Sequence, residues 1–108
     1  MNNRIIDLMF TTPITVYPTE SKDSAGDRVE STPINVYGYV YDEVIVITND
    51  LGEKEVSTRQ IYLPLDVVSS IKTSYRVSCL DSDKARIIKR QEYRGRRSRT
   101  LIGVLYLP

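Results

Sequence analysis

The sequence has no histidine, no tryptophan and a single cysteine, Cys79. One cysteine cannot form a disulfide within the chain, and without histidine the usual ligand sets of a zinc site are missing. A nucleophilic side chain would also lack the base that most often activates it in enzymes. We therefore expect no catalytic activity, no metal and no cofactor, and we expect Cys79 to be a small buried hydrophobic residue of a protein made in a reducing compartment.

Clustered glycines and long apolar runs are also absent. The five glycines are spread along the chain, so no glycine loop of the phosphate-binding kind is present. No apolar run approaches the roughly 20 residues needed to cross a bilayer. The first residues become polar too early for a secretory signal. We expect a protein without a membrane partner that is made without export.

The net charge of +1 conceals two segments of opposite sign. Residues 1–83 hold 7 Lys+Arg and 13 Asp+Glu, net −6, whereas residues 84–108 hold 8 and 1, net +7. Opposite surfaces would suit stacking of copies, or a position between two partners. The alternative, that the charges interleave when the chain folds, stays open from the sequence.

The clearest strand signal lies at Arg59–Asp66, where Ile61, Leu63 and Leu65 alternate with other residues and Pro64 marks the end of pairing. Shorter strand patterns separated by turns precede and follow it. They predict one all-β domain over residues 1–108, a small β-barrel of six to seven mainly antiparallel strands. The other predicted segments are an N-terminal arm at 1–12, strands at 14–17, 34–41, 75–79 and 101–108, a mobile loop at 18–30, and a connector at 66–74 with at most a short helical turn.

Residues 44–56 predict a long projecting hairpin that turns at Asn49–Gly52. The first arm is apolar on both faces, and such a strand needs cover on both sides. Either the hairpin is central to the core or another subunit covers it, and the charged second arm favours the subunit. The candidate subunit or channel contacts are Val44, Ile45, Val46, Ile47, Asn49, Asp50, Leu51, Gly52, Glu53 and Glu55.

Tyr37, Tyr39 and Tyr41 share one face of the predicted strand at 34–41, and Gly38 lies on the opposite, aliphatic face. A glycine there predicts a bend or the close approach of another backbone. The tyrosines could stack nucleobases or form a protein contact. We favour the protein contact, because no basic residue is interleaved with them and stacking platforms normally lie in a positive groove.

Basic residues concentrate near the C-terminal end of the chain. Four arginines within six residues can neutralise phosphates without reading base sequence. A solvated hairpin tip kept soluble by its charge is the alternative. The candidate contacts to DNA or to an adaptor protein are Lys89, Arg90, Arg94, Arg96, Arg97 and Arg99.

The order of elements resembles that of the head-completion proteins of long-tailed bacteriophages, the stopper or adaptor proteins that are also called head-tail joining or minor capsid proteins. The likeness covers nearly the whole chain and is one of layout and length. The segments that carry it are Pro13–Tyr17, Gly26-Asp27, the strand to Tyr41, the hairpin with Gly52-Glu53, Ile61–Pro64, Tyr75–Val77, and a last strand after a basic turn.

This resemblance implies a β-barrel that assembles as a homo-oligomeric ring below the portal, extends or closes the DNA channel and docks the tail. The implied partners are a portal-adaptor protein on the head side, the tail terminator or tail tube on the tail side, and passing duplex DNA bound without sequence preference. The implied location is the head-tail interface of the virion, after assembly in the host cytoplasm. A free-standing, non-enzymatic nucleic-acid-binding barrel that uses Arg94–Arg99 and the tyrosines is the alternative.

Within this resemblance, the hairpin at 44–56 would project towards the channel or towards neighbouring subunits, and the basic turn would face DNA or an acidic adaptor surface. The hairpin is acidic at Asp50, Glu53 and Glu55. Carboxylates lining a channel would repel the phosphates of passing DNA and prevent sticking. Both placements of the hairpin, in the channel or only between subunits, stay open from the sequence.

Overall fold

A computed structural model describes residues 10–22, 28–30, 32–80, 83–94 and 101–108 of the chain. Nearly all of its regular structure is β. The strands are β1 (Thr12–Tyr17), β2 (Thr19–Lys22), β3 (Arg28–Glu30), β4 (Ile34–Tyr41), β5 (Ile45–Thr48), β6 (Lys54–Ser57), β7 (Arg59–Pro64), β8 (Arg76–Cys79), β9 (Ala85–Arg86), β10 (Lys89–Arg94) and β11 (Leu101–Leu107), and the helix is α1 (Leu65–Val68).

Seven antiparallel strands form one sheet in the order β10-β11-β7-β4-β1-β8-β9. Its two edge strands, β9 and β10, are separated in the chain only by Ile87 and Ile88. A flat sheet of seven strands would be roughly 29 Å wide, whereas three Cα steps reach at most about 11 Å. The sheet must therefore curl until its edges come near each other, and it forms a half-barrel. The predicted small, antiparallel all-β fold is confirmed.

The central strand β7 lies between β4 and β11, and it is the strand that the sequence marks most clearly. Ile61 and Leu63 on its inner side are fully buried. Pro64 ends the strand, and α1 follows at once, which confirms the predicted short helical turn. The buried core on the inner side of the sheet comprises Ile14, Val16, Ile61, Leu63, Val68, Ile71, Val77, Cys79, Ile87, Leu105 and Leu107.

Two glycines let neighbouring elements approach the inner face of the sheet. A Cβ at Gly38 would lie 2.7 Å from the Leu63 side chain and 2.9 Å from the carbonyl oxygen of Tyr62. A Cβ at Gly103 would lie 2.5 Å from the side chain of Val68 on α1. The predicted close approach of another backbone at Gly38 is confirmed.

The prediction of a mobile loop over residues 18–30 is wrong for the two ends of this segment. β2 and β3 form an antiparallel ladder there, with Thr19 opposite Glu30 and Lys22 opposite Arg28. Backbone hydrogen bonds can hold such a ladder without apolar side chains, so a polar hairpin carries no hydrophobic pattern to read. Residues 23–27 of the same segment lie outside the described residues, as do residues 1–9 of the predicted N-terminal arm.

Candidate interaction surfaces

The predicted hairpin is present as β5 and β6, which form a two-stranded sheet of their own. It follows the β4–β7 pair after an irregularity: Tyr41 pairs with Gln60, and the next pair is Ile45 with Ser57. Three residues separate these pairs on one strand and two on the other. The unequal segments interrupt the ladder, so β5 and β6 do not continue the seven-stranded sheet. The hairpin therefore leaves the seven-stranded sheet, and its turn residue Asp50 lines a surface depression together with Lys72 and Arg90.

An exposed ion pair and a buried hydrogen-bond network fix the base of this hairpin. The guanidinium of Arg59 binds the carboxylate of Asp42 through two nitrogens, at 2.6 and 3.2 Å. The Gln60 side chain donates to the carbonyl oxygen of Glu43 (2.9 Å) and to the Ser57 hydroxyl (3.0 Å). Ser57 and Gln60 are both almost fully buried. Such satisfied buried groups specify one geometry, because any other leaves them without partners.

The turn of the hairpin is organised by Asn49. Its side-chain oxygen accepts hydrogen bonds from the backbone N–H groups of Leu51 and Glu53, each at 2.9 Å. Its amide nitrogen donates to Glu55 at 2.8 Å. Gly52 takes a φ of 82°, a conformation that glycine adopts without strain. The Asn49–Gly52 stretch therefore forms the predicted turn.

One side of the hairpin faces the half-barrel. Ile45 and Ile47 are half-buried there, opposite Ser57 and Glu55 respectively, and neither isoleucine belongs to the core. The carboxylate of Glu55 forms an ion pair with Arg86 on β9. The hairpin is therefore attached at the margin of the half-barrel, and the possibility that it is central to the core is excluded for the single chain.

The opposite side of the hairpin is apolar and exposed, and we call it the valine face. It consists of Val44, Val46 and Val56, which are 73%, 64% and 52% exposed, and Val46 pairs directly with Val56. Leu51 in the turn is 83% exposed. A contiguous patch of exposed β-branched residues on a projecting element is typical of a surface that a partner covers.

A second surface lies on the outer side of the sheet, across β4, β7, β11 and β10. By register it collects six of the eight tyrosines of the chain. Four of them are exposed, with Tyr37 the most exposed at 63%, and the other two are half-buried. We call this surface the tyrosine face, and its members are Tyr37, Tyr39, Tyr41, Tyr62, Tyr93 and Tyr106.

The rings of the tyrosine face form a packed layer. Tyr39 and Tyr62 have ring centroids 6.1 Å apart at a tilt of 58°, within the range of favourable aromatic pairs. The hydroxyls of Tyr93 and Tyr106 lie 3.3 Å apart. Val104, opposite Tyr62 on the same side of the sheet, is only 1% exposed. Contacts within the chain therefore orient Tyr39, Tyr62, Tyr93 and Tyr106.

Burial raises the pKa of the Tyr62 hydroxyl, and burial together with the hydrogen bond shared with Tyr93 raises the pKa of the Tyr106 hydroxyl. Both groups stay protonated well above neutral pH, since their ordinary value is already 10.0. The hydroxyls of Tyr62 and Tyr106 therefore remain neutral hydrogen-bonding groups under physiological conditions.

The sequence pattern predicted only half of the tyrosine face. Tyr37, Tyr39 and Tyr41 were predicted as a group because they alternate along one strand, whereas Tyr62 and Tyr106 belong to other strands. A signal existed for these two: Tyr62 alternates with buried Ile61 and Leu63, and Tyr106 with Leu105 and Leu107, so each must point outwards. Which strands are neighbours could not be read from the chain.

The basic candidates are only partly described. Lys89 is half-buried and lies on the side of the tyrosine face, opposite Tyr106. Arg90 points to the other side, where it donates to the carbonyl oxygen of Val68 (3.1 Å) and to Glu92 (2.9 Å). Arg94 ends β10, paired with Leu101. Arg96, Arg97 and Arg99 lie outside the described residues.

Charges of the two oppositely charged segments do interleave in places. Arg86 from the basic segment pairs with Glu55 from the acidic one. The exposed carboxylates near the hairpin, at Glu43, Asp50 and Glu53, form no ion pair among the described residues. At the end of the hairpin Asp50 and Glu53 outnumber the exposed Lys54, so this end keeps a net negative charge, whereas Glu55, the third acidic residue of the prediction, is paired with Arg86.

No protein-family model matches the chain, and no curated protein sequence matches it significantly. In the part of the chain that the structure describes, no three His, Cys, Asp or Glu side chains come together as a metal site would require. Among the same residues, no helix is long and apolar enough to cross a membrane.

Proposed function

We propose that this protein is a structural component of a long-tailed bacteriophage virion, which forms a homo-oligomeric ring at the head-tail interface as a head-completion protein. In this role it extends or closes the DNA channel below the portal and docks the tail. The observation that carries the proposal is the projecting hairpin with its uncovered valine face, on a small β half-barrel whose order of elements resembles that of such proteins.

The magnitude of the exposed apolar surface fits assembly on a template. Full burial of a valine or leucine side chain contributes about 1.5–3 kcal/mol, so Val44, Val46, Leu51 and Val56 together offer several kcal/mol. Association of two free proteins costs about 4–15 kcal/mol in lost freedom and ordering. The hairpin alone therefore supports weak association in solution, and a portal-adaptor complex that holds the copies side by side would remove much of that cost.

The acidic end of the hairpin suits a place near passing DNA. Exposed carboxylates at Asp50 and Glu53 repel phosphates and keep the duplex from sticking. The basic turn at Arg94–Arg99 has the opposite tendency and suits a static contact, either with DNA or with an acidic adaptor surface. With an acidic hairpin end and a basic turn, the protein would contact DNA without sequence preference, and no base-specific contact is needed.

The proposal is tested on particles that lack the protein. We expect heads that package DNA and then lose it, without attached tails, because the channel below the portal is neither closed nor joined. Electron microscopy and measurement of packaged DNA report this directly. Intact tailed particles that retain their DNA would rule the proposal out.

Exposed tyrosine rings could instead stack unpaired bases, and this observation keeps the nucleic-acid-binding barrel as a second candidate. The two candidates differ in the purified protein. A ring component binds duplex DNA weakly and without sequence preference. Tight binding to single strands, falling steeply with salt and lost in Tyr37→Ala, would favour the second candidate.

A further inference from the structure

The valine face and the tyrosine face are two uncovered surfaces of one molecule, and the chain cannot bring them together itself. Side chains alternate along residues 56–62, so Val56 lies on the same side as Tyr62. To cover the tyrosine face of its own chain, the hairpin would have to fold back over its own sheet. The ion pair of Arg59 with Asp42 and that of Arg86 with Glu55 hold it in the opposite sense. Any cover for these surfaces therefore comes from another molecule.

We propose that the valine face of one copy packs on the tyrosine face of the next copy. This inference rests on the proposed ring and names the two surfaces that would join its neighbours. Each copy then supplies a hairpin to one neighbour and receives a hairpin from the other.

The dimensions of the two surfaces agree. A two-stranded hairpin is roughly 10 Å wide including its side chains, and the four strands of the tyrosine face span roughly 14–19 Å. Sheets that pack face to face keep about 10 Å between their backbones, which small valines between larger rings can fill. Aromatic and β-branched side chains are also favourable neighbours on packed sheets.

The charges of the two surfaces favour this contact over a symmetric one, in which the hairpins of two copies would pack against each other. The hairpin end carries exposed Asp50 and Glu53 beside the exposed Lys54. Register places Lys89 on the tyrosine face, and the carboxylate of Glu43 lies near Tyr62 at the margin of that face. Two hairpins packed against each other would bring the two sets of carboxylates together, which is unfavourable. Packing the hairpin on the tyrosine face instead places carboxylates near a lysine and near hydroxyl donors.

A contact between two different surfaces does not stop at two copies. It leaves one unused hairpin and one unused tyrosine face at the ends of every incomplete assembly, so copies add until a ring closes. A symmetric contact would stop at a dimer.

The test traps the contact in the purified full-length chain by cross-linking between single cysteines. One protein carries Val46→Cys, and a second carries Tyr37→Cys or, separately, Tyr41→Cys, which lie in the middle and at the C-terminal end of β4. The probe is a short bifunctional maleimide, which captures weak encounters. The native thiol of Cys79 is buried, and the unsubstituted chain controls for its reactivity.

The matched control is Ser69→Cys, a nearly isosteric change at an exposed position after α1, on the inner side of the sheet. We expect Val46→Cys mixed with Tyr37→Cys or Tyr41→Cys to give heterodimer about tenfold above Val46→Cys mixed with Ser69→Cys. A single chain with both Val46→Cys and Tyr37→Cys, or Val46→Cys and Tyr41→Cys, should give a ladder of oligomers.

Two results would overturn the proposal. One is a yield from both tyrosine positions no higher than from Ser69→Cys. The other is homodimer from Val46→Cys alone that matches the mixed yield, since that indicates a symmetric hairpin contact. Neither result depends on the particle experiment, so the proposed ring can fail or stand separately from the surfaces named here.

Discussion

At the scale of single residues, Gly38 and Gly103 decide how closely the layers of the half-barrel approach. Both lie on the inner side of the sheet, yet the obstacles differ in kind. At Gly103 an added Cβ meets the side chain of Val68, whereas at Gly38 it meets the backbone carbonyl of Tyr62 as well as Leu63. A side chain can be shortened and a carbonyl cannot, which makes the two positions distinguishable by experiment.

Gly103→Ala should lower the free energy of unfolding by about 1–3 kcal/mol through overpacking. Adding Val68→Ala should make the double variant more stable than the sum of the two single changes by about 0.5–3 kcal/mol, because the new methyl fills part of the space vacated. Gly38→Ala should cost at least as much, and Leu63→Ala should not rescue it. Denaturant unfolding of the single and double variants checks this, and equal rescue at both glycines would contradict it.

At the scale of the element, the hairpin is held by polar contacts at its turn and base while its apolar side is left exposed. Asn49 accepts two backbone hydrogen bonds and donates one to Glu55, so one side chain organises the turn. Because β5 and β6 pair only with each other among the described strands, the loss of these contacts should be felt locally.

Asn49→Ala should speed amide hydrogen exchange in β5 and β6 several-fold and leave the seven-stranded sheet unchanged, since it removes all three hydrogen bonds. Asn49→Asp is the matched control: it keeps the acceptor oxygens but replaces the donor to Glu55 with a second carboxylate. We expect an intermediate effect for this control. Uniform acceleration over β7 and β11 in either variant would show that the hairpin is not an independent unit.

Acid should loosen the hairpin at its two ion pairs. The hydrogen bond from Arg86 holds the pKa of Glu55 below its ordinary 4.5, and the hydrogen bond from Arg59 holds that of Asp42 below 3.8. A lowered pKa means that the folded state favours the ionised carboxylate. The stabilisation is therefore present at pH values above the ordinary pKa and is lost as pH falls through the lowered pKa of the folded state.

We therefore expect the amide signals of β5 and β6 to stay constant from neutral pH down to about 5 and then to change as pH falls through the range of ordinary carboxyl pKa values and below it. Nuclear magnetic resonance titration follows this residue by residue. In Glu55→Gln the part of the change that comes from the Glu55–Arg86 pair should be missing, while the part that comes from Asp42 remains. A change of the β5 and β6 amide signals above pH 6 would show that groups other than these two carboxylates govern the acid response of the hairpin.

At the scale of the whole molecule, the curl of the sheet depends on the short crossing at Ile87 and Ile88. These two residues connect opposite edges of the sheet, and both are buried. The N–H of Ile88 also donates to the carbonyl oxygen of Tyr106 at 2.8 Å, which joins the crossing to β11. The crossing therefore joins the two edges of the sheet, β9 and β10, into one cooperative structure.

Ile87→Ala should lower the free energy of unfolding by about 2–5 kcal/mol, the usual range for truncating a core isoleucine. Val44→Ala, at a position that is 73% exposed, is the control and should stay within about 0.5 kcal/mol. Denaturant unfolding with a probe in β8 and a probe in β11 should give coincident transitions in both variants. Separate transitions in the wild-type chain would contradict the single cooperative unit.

The sequence by itself determined the local features of this protein: the β class, the central strand at Ile61–Pro64, the turn at Asn49–Gly52 and the close approach at Gly38. These follow from alternation, turn-forming residues and proline, all of which act over a few neighbouring residues. The polar β2–β3 pair escaped this kind of reading, because its ladder depends on backbone hydrogen bonds that any side-chain pattern permits.

Only the tertiary structure decided which strands are neighbours, and with that the interaction surfaces. The tyrosine face joins rings that lie up to 69 positions apart in the chain, from Tyr37 to Tyr106, because register between β4, β7, β11 and β10 sets them on one side. The Glu55–Arg86 ion pair likewise holds one side of the hairpin towards the half-barrel, so the valine face on the other side is turned outwards. Strand pairing is a long-range choice among many backbones with the same hydrogen-bonding groups, so residue patterns alone do not specify it.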